Sequence, residues 1–211
     1  MKLTHFVHSC VLVETPSSRL LFDPGVFSNG FEGLTDLDGI VITHQHPDHL
    51  DLERLPALVA ANPRARLIVD PGSAVSVTER GLDFQVAGSG ETLQIGGSRV
   101  DVVGGDHAVI HPDVPVIPNL GYVLDDGAFY HPGDSFSLPG RDIDVLGLPT
   151  GAPWLKLSEA VDFFRAVSPR LAVPIHEAIL AVPQLYYGLF ESLAPAGATV
   201  TVIPPGTSTD V

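Results

Sequence analysis

Thr43-His44-Gln45-His46-Pro47-Asp48-His49 is the stretch on which the reading of the whole chain turns. It places four potential metal ligands, His44, His46, Asp48 and His49, directly after the apolar run Gly39-Ile40-Val41-Ile42. That run is short and β-branched and is preceded by Asp38-Gly39, so it reads as a buried strand. The strand stops where the polar residues begin, which puts the ligands on the loop at its C-terminal end. Neutral imidazoles beside a carboxylate suit Zn(II), Mn(II) or Fe(II), whereas Ca(II) takes all-oxygen cages.

Working outward, short strands are expected over residues 2–7, 10–15 and 19–22, the last ending at Asp23-Pro24-Gly25. Residues 26–38 read as a loop able to overhang a site. After the ligand loop the pattern predicts a helix over 50–61 with Pro56 in its early turns, a strand over 66–69 and a helix over 71–80. Strands follow at 84–86, 92–95 and 99–103, then a proline-rich loop over 108–119. Asp125-Asp126-Gly127 marks a hairpin between 122–124 and 128–130. A strand at 144–148, an amphipathic helix at 156–167 and a strand at 171–175 come next. A helix near 183–193 and a strand at 199–203 close the pattern. His107, Asp134 and His176 each stand just past an expected strand, as the first four ligands do. Independent strands thus deliver ligands to one edge of a layered α/β arrangement. A meander followed by helices occurs before and after residue 82, which suggests two similar halves, but no linker divides the chain. A single domain over 1–211 is expected.

The chain has 211 residues, 45% of them apolar and 17% charged, enough to bury a sizeable core. Its net charge of -14, from 25 acidic against 11 basic residues, disfavours nucleic-acid binding, which needs a basic stripe. Cys10 is the only cysteine, so no intramolecular disulfide forms. Met1-Lys2-Leu3-Thr4-His5 lacks the apolar core of a signal peptide, and no apolar run approaches the ~18 residues of a membrane span. A cytoplasmic protein acting on a small molecule, with no nucleic-acid or membrane partner, is the expectation; the composition also admits an oligomer.

Taken in order, His44-x-His46-x-Asp48-His49, His107, Gly133-Asp134 and His176 resemble the metallo-β-lactamase-fold hydrolases along the whole chain. The resemblance implies an α/β (α+β) fold: a four-layer αββα sandwich of two mixed β-sheets flanked by helices. It implies two divalent metal ions, Zn foremost and Mn or Fe as alternatives. His44, His46 and His107 would hold one, Asp48, His49 and His176 the other, and Asp134 would bridge them. Two cations sharing a water lower its pKa and supply a bridging hydroxide, which would cleave a small ester, lactone or phosphoester. Asp48 and Asp134 are the expected catalytic carboxylates, Asp48 orienting the nucleophile and moving a proton. Flavo-diiron reductases of the same superfamily place a Glu where this chain has His46, so hydrolysis is favoured over redox chemistry. His8-Ser9, Phe22-Asp23-Pro24, Asn119-Leu120-Gly121-Tyr122, His131-Pro132-Gly133-Asp134 and Pro174-Ile175-His176 resemble the UlaG-like branch, although no cluster of Arg and Lys offers to hold a phosphate. The alternatives are a non-catalytic metal- or metabolite-binding protein that keeps the fold, and a phosphodiesterase or nuclease.

Four further residues are candidates to support a ligand or touch the substrate: His8, Asp23, Trp154 and Lys156. Asp23 is placed to orient a ligating imidazole, since such rings need an acceptor on their other nitrogen. Trp154 could wall the site and Lys156 could meet an anion. His5 and His131 read as structural, and His111 as solvated.

Overall fold

The computed structural model describes residues 1–211. The first half contains β1 (Lys2–His5), β2 (Val11–Glu14), β3 (Arg19–Phe22), β4 (Gly39–Val41), α1 (Leu55–Ala61), β5 (Arg66–Val69), α2 (Ala74–Glu79) and β6 (Gln85–Val86). The second contains β7 (Thr92–Ile95), β8 (Ser98–Asp106), β9 (Pro118–Leu124), β10 (Phe129–His131), β11 (Val145–Pro149), α3 (Leu157–Val167), β12 (Leu171–Ile175), α4 (Gln184–Leu193) and β13 (Thr199–Val200). A last strand, β14 (Ser208–Asp210), returns to the first half. Two seven-stranded sheets result, ordered β14-β1-β2-β3-β4-β5-β6 and β13-β12-β11-β10-β9-β8-β7. Each is mixed: antiparallel from β14 to β3 and from β7 to β10, parallel beyond.

The alternation of side chains along each strand makes the four layers. Val11, Val13, Leu20, Phe22 and Val41 point inward and join Val102, Tyr122, Phe129, Val145 and Val173 of the other sheet in one core between the sheets. Their neighbours Leu12, Leu21, Ile40 and Ile42 point outward against Leu55, Leu58 and Val77 of the first two helices. On the far side Tyr130, Leu146 and Leu148 pack on Ala160, Phe163 and Phe164 of α3 and Phe190 of α4. Strands buried on both faces must be apolar at every position, which is why β4 reads as an unbroken hydrophobic run. Each fully buried aliphatic or aromatic side chain contributes about 1.5–3 kcal/mol, so the inter-sheet layer, the largest of the three apolar clusters, contributes more than either outer layer. The αββα sandwich is the architecture expected from the sequence.

Several boundaries differ from expectation for local reasons. The helix expected from residue 50 starts at Leu55, because the Asp51 carboxylate accepts the backbone N–H groups of Glu53 and Arg54 and holds a turn instead. Asp70 does the same for Gly72 and Ser73, delaying α2. β8 runs on to Asp106 through Gly104 and Gly105, which pair with Leu120 and Asn119 of β9. The strand expected over 199–203 is confined to Thr199–Val200. β14 carries no apolar pattern and exists because β1 offers it an edge, Leu3 opposite Thr209. No helix is long and apolar enough to cross a membrane.

Candidate metal centre

The loop Thr43–His49 leaves the C-terminal end of β4 and is held down from the opposite sheet. Leu120 N–H of β9 donates to Thr43 O at 2.9 Å, and the Tyr122 hydroxyl donates to Ile42 O at 3.0 Å. Gly25 runs directly beneath the loop: a Cβ there would lie 1.8 Å from Asp48 O, so only glycine lets the two segments approach. Gly133 has φ +62°, and a Cβ would collide with Asn119 Oδ1 at 2.2 Å. That same Oδ1 accepts Asp134 N–H at 2.9 Å while Asn119 Nδ2 donates to Pro132 O, so Asn119 clamps the 132–134 loop.

These loops bring all seven ligand candidates together in two adjoining clusters. His44, His46, His107 and Asp134 form one; His8, Asp48, His49 and His176 form the other. In each cluster one candidate ligand atom per residue lies within 4.8 Å of every other. Asp134 reaches both: its Oδ1 is 3.1 Å from His49 Nε2 and 3.2 Å from His176 Nε2, and its Oδ2 is 3.4 Å from His107 Nε2. None of these contacts has hydrogen-bond geometry on the imidazole side. His49 Nε2, His107 Nε2, His176 Nε2 and Asp134 Oδ1 are all buried without a hydrogen-bond partner. Four unsatisfied polar atoms facing one another would be costly unless a cation lay among them, so the donor set fits divalent metal ions.

The opposite ring nitrogens are spoken for, which fixes the tautomers. His107 Nδ1 donates to Ala108 O and His176 Nδ1 to Gly151 O, both at 2.6 Å. His49 Nδ1 donates to Asp23 Oδ2 at 2.6 Å, and His44 Nδ1 lies 3.0 Å from Thr43 Oγ1. In each neutral ring the Nε2 atom therefore presents its lone pair to the cluster. His46 turns the other way, with Nδ1 3.0 Å from His44 Nε2. Asp23 is itself anchored, accepting Thr43 N–H at 2.8 Å and Thr43 Oγ1–H at 2.7 Å.

His8 behaves differently from the residues it sits among. Its Nδ1 accepts the backbone N–H of Ala178 at 3.3 Å, so its Nε2 carries the proton and donates to Asp48 Oδ2 at 3.0 Å. Burial pulls its pKa down to about 4, keeping the ring neutral. It orients Asp48 and has no lone pair to offer a metal. His8, Asp23 and His176 all have positive φ (57°, 47° and 62°), so backbone strain is concentrated where the site is built.

Trp154 Nε1 donates to Asp134 Oδ2 at 2.8 Å, so the indole grips the central carboxylate. Lys156, by contrast, points away: its side chain is 77% exposed and pairs with Glu159, which corrects the expectation of an anion contact. It caps the N-terminus of α3 without a side-chain hydrogen bond to the helix. His131 is buried, donates to Ser9 O and stacks on Phe22; His5 is buried with Nε2 on His8 O; His111 is exposed.

Burial raises the cost of charging every group here, yet the carboxylates stay ionised. Burial acts against Asp134, but the fields of His176 and His49 hold it well below the usual carboxylate range. Asp48 is held low against burial by the imidazoles of His176 and His8 beside it. Burial likewise opposes charge on His176, but Asp134 prevails and the ring is pushed up to about 9. With no metal present, His49 and His176 are thus the counter-charges of the carboxylates, and a cation binds by displacing their protons.

The sequence assigns no role to Thr43 or to the carbonyls of Ala108 and Gly151, and it marks Asn119 only as part of a family-like motif, not as the clamp on Asp134. A hydroxyl immediately before a ligand cluster is a usable signal for Thr43. Asn119 lies 15 residues from its contact, and any residue has a carbonyl.

A double-sheet sandwich with His and Asp ligands gathered at one edge is the design of a metal-dependent hydrolase scaffold. The chain belongs to the β-lactamase superfamily: the family model for the β-lactamase superfamily domain matches residues 2–176. It is 51% identical to Protein Rv0786c of Mycobacterium tuberculosis over 194 residues, 89% of this chain and 90% of that one. It is 30% identical to a UPF0173 metal-dependent hydrolase of Opitutus terrae, over 83% of this chain and 84% of that one. Among solved structures, Igni18, a metallo hydrolase from Ignicoccus hospitalis, superposes with a TM-score of 0.75 at 24% identity, covering 99% and 97% of the two chains.

Proposed function

We propose that the protein is a dinuclear metal-dependent hydrolase that adds water across a small ester, lactone or phosphoester. The observation that carries this reading is the set of four buried, unpartnered atoms, His49 Nε2, His107 Nε2, His176 Nε2 and Asp134 Oδ1, facing one another at a sheet edge. His44, His46 and His107 would hold one ion, Asp48, His49 and His176 the second, with Asp134 between them. An imidazole-rich set favours Zn, with Mn and Fe as alternatives. Bound there, the ions supply Lewis acidity that polarises the scissile bond and acidifies water.

The chain's own part is orientation and proton traffic. Asp48 is half-buried, ionised and aimed by His8, so it can accept the proton lost from the attacking water and return it to the leaving alkoxide. Atoms balance as one water consumed, with one acid and one alcohol released from an ester or phosphoester and a single hydroxy acid from a lactone. Asp23 and Thr43 keep His49 facing inward, and Trp154 and Asn119 keep Asp134 in place. We place the chain in the UlaG-like branch because His8, Asp23, Asn119 and Asp134, which carry that resemblance, surround one centre.

The test is a hydrolysis screen of protein reconstituted with Zn, Mn or Fe(II), pairing lactones and carboxylic esters with phosphomonoesters and phosphodiesters. Metal-dependent turnover of at least one class is expected. Tight metal binding with no turnover on any of them would instead identify a binding protein on the same fold.

A further inference from the structure

Beside the metal centre, the segment between β8 and β9 builds a second feature that the hydrolytic chemistry does not use. A cavity of about 250 Å³ opens against the faces of His46 and His107. Its remaining wall is Ala108, Ile110, Val114, Pro115, Val116 and Ile117. The segment is an ordered hairpin: His107 N–H donates to Ile117 O at 2.9 Å, Ala108 N–H to Asp134 O at 2.9 Å, and Val114 N–H to His111 O at 2.9 Å. Pro112, Pro115 and Pro118 restrict it further.

Branched apolar side chains line this hairpin although water reaches them. Ile110 is 38% exposed, Val114 44% and Val116 51%. An apolar group entering the cavity would cover that surface, and clustered exposed apolar side chains next to a polar reaction centre mark a ligand-binding wall. The volume lies just under the ~300 Å³ lower bound of drug-sized sites, so it suits a short alkyl chain or one ring.

Charge narrows the occupant. No arginine or lysine lines the cavity. The nine arginines are engaged elsewhere by carboxylates, carbonyls or an amide: Arg54 by Asp51 and Glu32, Arg99 and Arg141 by Asp101, Arg170 by Asp144, and Arg19, Arg64, Arg66, Arg80 and Arg165 likewise. Lys156 pairs with Glu159 and Lys2 opens β1, at the sheet end away from the site. A phosphate group arriving here would find no fixed cationic side chain beyond the metal ions.

We propose that this cavity is the subsite for an apolar arm, an alkyl or aryl group, of an uncharged ester or lactone cleaved at the adjoining centre. The inference rests on the hydrolase reading above and narrows its substrate class, setting phosphoesters aside. Substrate specificity is then carried by the hairpin wall, and chemistry by the ligand loops.

Two measurements separate the pocket from the chemistry. The one-ring neutral ligand toluene, titrated into both metal-loaded and chelator-treated protein and followed by ligand-observed NMR, reads the cavity without any turnover. In parallel, kcat/KM is measured on metal-loaded protein for γ-lactones bearing 4-alkyl substituents from hydrogen to hexyl, with bis(4-nitrophenyl) phosphate alongside. Saturable probe binding is expected, displaced by the long-chain lactones, together with a rise of about fourfold in kcat/KM per added methylene until the cavity is full. Val116→Asp should weaken probe binding at least tenfold and flatten the chain-length slope. Val116→Trp, which fills the space without adding charge, should do the same; the position is exposed enough for both variants to keep the fold. Absence of probe binding with a flat slope in the native protein overturns the subsite, as does a higher kcat/KM for the phosphodiester than for every lactone. Probe binding that responds to both variants while neither the lactones nor the phosphodiester is hydrolysed upholds the apolar cavity and defeats the hydrolase reading instead.

Discussion

The two sheets repeat one topology, and the same positions carry different duties in each. β1 corresponds to β8, β3 to β10, β4 to β11 and β5 to β12 in strand order and pairing. His8 follows β1 as His107 follows β8; Asp23 follows β3 as Asp134 follows the end of β10; Asp70 follows β5 as His176 follows β12. In the second half those strand-end residues present unpartnered ligand atoms to the site. In the first half His8 donates to Asp48, Asp23 accepts from His49, and Asp70 caps its own turn with Ser73. The compensation lies in the loops after the equivalent strands β4 and β11: after β4 the loop carries four ligand candidates, while after β11 it carries Trp154, which holds Asp134. One half therefore supplies ligand candidates in a cluster and orients them from its flanking loops. The other supplies them one loop at a time. A metal centre assembled this way needs both halves docked before any site exists.

The comparison is most directly broken at Asp134, the one residue that faces both clusters. Asp134→Asn should lower turnover by about 10³-fold or more while the far-ultraviolet circular dichroism is preserved. Activity above a tenth of native would remove Asp134 from the chemistry. The pair His8 and His107 sharpens the distinction between orienting and ligating roles. His107→Ala should lose bound metal by elemental analysis, whereas His8→Ala should keep its metal and lose about 10–100-fold in kcat. Equal metal loss in the two variants would contradict the tautomer assigned to His8.

A pH experiment on metal-free protein reads the same centre through stability. His176 in the folded state is pushed up to about 9 from an ordinary 6.5. A raised histidine pKa contributes stability that is complete below pH 6.5 and is lost as pH rises through 9. Urea titrations should thus show the unfolding free energy falling by on the order of 3 kcal/mol between pH 6.5 and 9.5. Saturating zinc should flatten that slope, since the ions have already displaced the protons. A metal-free protein that grows more stable over this range would contradict the ion pairs described here. The smallest effect belongs to Lys156: Lys156→Ala should leave kcat/KM within about twofold and stability within about 0.5 kcal/mol. A tenfold loss on any anionic substrate would restore it to the site.

Much of the molecule is legible in the residues themselves. β5, β7 and β12 fall where the apolar runs lie, and the hairpin at Asp125-Asp126-Gly127 pairs Phe129 with Leu124. Boundaries shift where a side chain competes with the backbone, as at Asp51 and Asp70, or where glycines hide a continuing strand, as at Gly104 and Gly105. β14 is invisible in the sequence because Ser208-Thr209-Asp210 has no pattern of its own and borrows its order from β1. Lys156 departs from expectation because a position after a strand end does not say which way a side chain leaves the chain.

The sequence alone determined the candidate ligands, their order and the strand ends that carry them, because apolar periodicity and side-chain donor chemistry are properties of the residues themselves. Tertiary structure decided the rest. It grouped seven ligand candidates in two clusters, turned His8 into a donor through one backbone N–H from Ala178, and locked His107 and His176 on carbonyls that every residue possesses. It also set an apolar hairpin against His46 and His107. The physical reason is that orientation and enclosure depend on backbone atoms and on distant segments meeting, and neither leaves a mark in local sequence.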